Sequence, residues 1–233
     1  FMSDPDVSVR TKALGAISSL IRHNKPGVTA FRLANGYAGL RDALASENTR
    51  FQRKALYLIQ YLLQENRADC RIVNELGFPR ALLHLASSED ANVREGALQN
   101  LLELARDQKD GSTPSSNEDV EKLRQVLEER IKGITNMSAE DLSAAREERL
   151  LVDSLWSICY NEPSSLREKG LLAMPGEDAP APDVASQYFE PALRALSASF
   201  PPDKSSATEK KQAPLLLGAG PPRDDDGDAS GSR

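Results

Sequence analysis

The 233-residue chain has two cysteines, two histidines and one tryptophan, and aromatic residues make up only 5% of it. Each shortage removes a class of function. Cys70 and Cys159, each inside an apolar helical pattern, supply neither a disulfide framework nor a metal-ligand spacing, so a reducing, intracellular setting is expected. His23 and His84 alone leave little general acid–base capacity near neutral pH. His84 falls near the apolar stripe of its helix and His23 at a helix end, and both are expected to be structural. No phosphate loop, zinc-protease helix or serine elbow occurs. No catalytic residue, cofactor or metal is therefore expected. Basic residues are also in deficit, 29 against 35 acidic ones for a formal charge of −6, which disfavours a nucleic-acid partner. No run approaches the ~20 apolar residues that span a bilayer, and no charged-then-apolar leader is present. The reading is a cytosolic protein without a membrane partner. Because Phe1 runs almost directly into a helix, a fragment of a longer chain is expected.

What the chain does contain is a repeat. Val9-Arg10-Thr11-Lys12-Ala13-Leu14 recurs as Phe51-Gln52-Arg53-Lys54-Ala55-Leu56 and again as Val93-Arg94-Glu95-Gly96-Ala97-Leu98, a step of 42 from 9 to 51 and from 51 to 93. Behind each copy the apolar positions continue as Ile17, Leu20, Ile21, then Ile59, Leu62, Leu63, then Leu101, Leu104, Ala105, the three–four spacing of one helix face. Gly36-Tyr37 and Gly77-Phe78 mark a second repeating corner. A glycine there can take a positive φ and let two helices cross closely. That divides each period into three helices, the pattern of armadillo units. Residues 24–65 and 66–107 then form complete repeats, and residues 3–23 are the last helix of an earlier one.

The register stops after residue 107. Val120, Leu123, Leu127, Ile131 and Ile134 mark one more amphipathic helix, and Ser138-Ala139-Glu140-Asp141 reads as a capping box opening another that runs to about Cys159. In that last helix Leu142, Ala145, Val152, Leu155, Trp156 and Cys159 point inward, and Asn161 and Pro163 end it. These helices suit the terminal cap of a solenoid. Ten of the 14 prolines and six of the 14 glycines lie beyond residue 160, too little apolar surface to offset chain ordering. The expected architecture is all-α: a right-handed α-solenoid with armadillo repeats over 1–107, capping helices over 108–160, and an extended, mostly disordered tail over 161–233.

Such a protein works by docking. In armadillo units the third helix lines the concave side, so the outward positions form ladders: Gly15, Tyr57, Gln99; Ser19, Tyr61, Glu103; and Thr11, Arg53, Glu95. Tyr57 and Tyr61 are candidate anchors, since tyrosine offers a large rigid area with a polar tip. Arg50, Arg53 and Lys54 form a basic cluster that could steer an acidic partner. Trp and Asn ladders of the kind that read threaded peptides are missing, which favours a folded partner over a peptide.

The runs Arg10 to Arg22, Phe51 to Glu65 and Leu155-Trp156-Ser157-Ile158-Cys159-Tyr160 resemble the Fes-one and Hsp70-binding-protein family of armadillo nucleotide-exchange factors, most closely its plant members, over roughly residues 3–195. The resemblance implies binding to the nucleotide-binding domain of a cytosolic seventy-kilodalton heat-shock chaperone through the concave face, straining its nucleotide cleft and speeding ADP release. The competing reading is an armadillo scaffold or adaptor for another folded protein.

Overall fold

The computed structural model describes residues 4–109, 117–174 and 177, and every regular element among them is a helix. The chain divides into a unit of residues 1–193 and a second of residues 194–233, which lies wholly outside the described residues. The helices are α1 (Val7–Ile21), α2 (Lys25–Leu33), α3 (Gly36–Leu44), α4 (Thr49–Glu65), α5 (Asp69–Glu75), α6 (Phe78–Leu85), α7 (Ala91–Lys109), α8 (Asn117–Thr135), α9 (Ala139–Ala144), α10 (Arg146–Tyr160) and α11 (Ser165–Glu168).

Short polar residues start α1, α2, α4 and α7. Side-chain oxygens of Asp6, Asn24, Asn48 and Asp90 accept from the backbone N–H two or three residues on, at Ser8, Gly27, Phe51 and Val93. Each bond satisfies a donor that the first helical turn leaves open. Ser138 caps α9 as the sequence predicts, accepting from the Asp141 N–H. Its hydroxyl donates in turn to the Asp141 carboxylate at 2.7 Å rather than leaving that group to answer the backbone. The expected single helix from Ser138 to Cys159 breaks at Ala145, which closes α9 and opens α10. Asn161, at φ 54°, ends α10 in the left-handed conformation that its short polar side chain tolerates.

The repeat appears as a stack in which α1 packs on α4, α4 on α7, and α7 on α10. Phe51, Leu58 and Leu62 of α4 and Leu98 and Leu104 of α7 are buried in one continuous core with Leu14, Leu40, Val152 and Leu155. Helices α8 to α10 thus continue the stack as a further three-helix layer.

Four expectations change. Leu20, assigned inward, is 68% exposed: the layer that buries the equivalent Leu62 has no counterpart against α1 among the described residues. Val120 is likewise exposed, and His84 sits on the outer face of α6. At the first corner the positive φ belongs to Asn35, at 56°, while Gly36 is the first residue of α3. Gly36 matters for space, since a Cβ there would lie 2.3 Å from the Phe31 ring. Gly77, at φ 76°, meets the expectation of a left-handed corner.

Beyond Tyr160 the chain first folds back. Leu166 and Leu172 are buried, Arg167 pairs with the buried Asp153 of α10, and the buried Arg149 makes two bonds to Glu177 at 2.7 and 2.9 Å. Hydrogen bonding from the Met174 N–H and from Arg149 holds the Glu177 carboxyl below the usual range. The remainder of the expected tail falls outside the described residues.

Candidate protein-docking face

Residues of one outward stripe of α1, α4 and α7 form the candidate face, and the stack brings them side by side. Tyr57 is 53% exposed, because its helix already fills the core with Leu56, Leu58, Ile59, Leu62 and Leu63. Arg50 and Ser19 are also exposed, although the Ser19 hydroxyl donates to the Gly15 carbonyl at 3.0 Å and is partly spent on its own helix. Arg53, Lys54 and Gln99 are half-buried. Lys54 reaches across to α1, where a Cβ added to Gly15 would lie 2.7 Å from its Nζ. The first ladder therefore reads as Lys54 over Gly15, then Tyr57, then Gln99.

The other ladders are less open. Thr11 is buried, its hydroxyl donating to the Val7 carbonyl at 2.7 Å. Burial, helped by Glu148 and Glu147, pushes the Glu95 carboxyl up. Glu103 is only 4% exposed, so its assignment to the groove needs correcting. Gln64 and Gln99 donate to its Oε1 at 3.2 and 3.3 Å, and Arg67 and Arg106 lie within 3.8 and 3.5 Å of its carboxylate. A buried carboxylate is retained only when its lone pairs are filled, and here Glu103 ties α4 to α7. Tyr61 is a tie as well as a surface. Its hydroxyl accepts from the His23 N–H at 2.8 Å, and the Arg22 guanidinium lies 5.7 Å from its ring centre.

Three buried polar clusters escaped sequence reasoning. Asp69 accepts from Arg32 at 2.6 and 2.9 Å and from the Tyr37 hydroxyl at 2.6 Å, joining α2 and α3 to α5. Burial and then this bond hold the Tyr37 hydroxyl far above its usual ionisation range. Glu148 binds Arg94 at 2.7 Å and Arg130 at 2.6 Å, joining α10 to α7 and α8. Asn100, fully buried in α7, donates to the Leu56 carbonyl of α4 at 3.1 Å. Only the polar letter inside an otherwise apolar stripe could have signalled Asn100. The Cys70 and Cys159 thiols are pushed up to about 11 by burial, the reverse of what a reactive thiol needs.

Among the described residues no cluster of His, Cys, Asp and Glu could hold a metal ion, and no helix is long and apolar enough to cross a membrane. No family model matches the chain. Among curated proteins the chain is similar to Hsp70-binding protein 1 of Mus musculus, 24% identical over 157 residues that cover 67% of this chain and 42% of that protein. The Homo sapiens and Rattus norvegicus proteins of the same name are 29% identical over 100 residues, 43% of this chain and 28% of theirs. The chain thus spans less than half the length of the curated relatives it matches. All three are mammalian proteins and do not bear on the expected closeness to plant members.

Proposed function

We propose that this chain is a nucleotide-exchange co-chaperone that binds the nucleotide-binding domain of a seventy-kilodalton heat-shock chaperone in the cytosol through the α1–α4–α7 face. The observation that carries the reading is Tyr57, a large side chain left exposed on a helix whose core positions are full, with Arg50 and Arg53 on the same helix. Its setting is a stack cross-braced by buried polar ties, a rigid platform that loses little entropy on docking. The similarity to proteins named for binding Hsp70 supports the choice of partner. Exchange needs no catalytic group. A protein that binds the open form of a nucleotide cleft better than the closed form shifts that equilibrium by its differential affinity and so releases nucleotide.

The test is the release rate of a fluorescent ADP analogue from the chaperone domain. The chain should accelerate release, and Tyr57→Ala with Arg53→Glu should weaken binding about tenfold, the range of a good interface anchor. Both positions lie outside the core, so the melting temperature should stay close to that of the parent. Equal acceleration by the variant would remove this face from the reading. Binding that is indifferent to ADP or ATP, with no acceleration, would favour the adaptor.

A further inference from the structure

Along the stack the candidate face changes the sign of its charge. Equivalent places 42 residues apart carry Lys12, Lys54 and Gly96, and beside them Thr11, Arg53 and Glu95, on helices that pack in the order α1, α4, α7. Lys12 and Arg50 are exposed, Arg53 and Lys54 are half-buried, and none of the four forms an ion pair among the described residues. Glu47, exposed just ahead of α4, offsets at most one of them. On the α7–α10 side the acids are the uncommitted groups. Glu95 is half-buried, Glu147 in the first turn of α10 is exposed, and neither is in an ion pair among the described residues. The two are close enough that Glu147, together with Glu148, adds to the burial that pushes the Glu95 carboxyl up. The neighbouring cations are engaged elsewhere: Arg94 and Arg130 both bind Glu148, and Arg146 acts on Glu177.

Resting on the function proposed above, we infer that the docked partner presents a dipolar surface, its acidic part over Lys12, Arg50, Arg53 and Lys54 and its basic part over Glu95 and Glu147. The docking face then extends past α7 onto α10. Tyr57 and Gln99 stand one turn beyond Arg53 and Glu95 on the same helices and add uncharged contact beside the row of charges. A partner docked the other way round would set like charges against each other at both ends, so the row fixes orientation more than it adds affinity.

The experiment measures binding of the full chain to the chaperone's nucleotide-binding domain across a salt series. Glu147→Lys should weaken binding about fivefold at low salt, since a repulsive contact replaces an attractive one, and the loss should shrink as salt screens it. The sign is what discriminates: a face that selects acidic surfaces alone would gain affinity from the added lysine. Glu147→Gln should lie between the parent and Glu147→Lys, and Glu95→Gln should weaken binding in the same direction. Glu147 is exposed and contributes only its place near the α10 N-terminus to stability, so Glu147→Lys should keep nearly the parental helicity and urea midpoint. Binding by Glu147→Lys equal to or tighter than that of the parent, with Tyr57→Ala impaired, overturns the dipolar row and leaves the function standing. Absence of binding by the parent overturns the function and the row together.

Discussion

Replacing Glu148 with Ala should lower the unfolding free energy by about 3 to 5 kcal/mol, the cost of stranding buried charge. Glu148 is 1% exposed and is the only acid paired to both Arg94 and Arg130 among the described ion pairs. Arg94 is itself buried and also donates to the Ser88 carbonyl at 2.7 Å, so it cannot swing to water without breaking the start of α7. Arg130→Ala should cost less, because Glu148 keeps Arg94 and the lost guanidinium was partly solvated. Urea unfolding at an unchanged slope would report both. A Glu148→Ala midpoint equal to that of Arg130→Ala would mean that the joint between α7, α8 and α10 is carried by apolar packing alone.

Leu62→Ala should destabilise by about 2 to 5 kcal/mol, whereas Leu20→Ala should change stability by less than about 0.5 kcal/mol. The pair is informative because the two leucines occupy equivalent places one repeat apart. Leu62 is 0% exposed, so truncation leaves a cavity; Leu20 is 68% exposed and leaves none. Gln99→Ala, on the half-buried outer side of α7, should resemble Leu20→Ala except for the hydrogen bond it withdraws from Glu103. Equal urea midpoints for the two leucine variants would overturn the layer assignment.

The candidate face was partly legible in advance. Tyr57 and Arg50 are outward as their helical phase demands, because α4 has a wide apolar stripe that leaves one side free. Phase alone could not separate Tyr57 from Tyr61 or Gln99 from Glu103, since members of each pair lie one turn apart on the same stripe. What separates them is the neighbour: the His23 corner closes over Tyr61, and Gln64 with Arg67 closes over Glu103.

The sequence by itself determined the helical character of the chain, its three-per-period grouping and the Ser138 start, but not the break at Ala145 or the short α11. Those features depend on contacts within three or four residues, such as Ser138 to Asp141. The tertiary structure alone decided which apolar positions are core and which polar ones are partnered. Glu148 meets Arg94 across 54 residues, Asp69 meets Arg32 across 37, and Leu20 is exposed where the equivalent Leu62 is buried. Burial is a property of what lies across the interface, and a periodic pattern encodes the face that a helix offers but not whether anything is there to meet it.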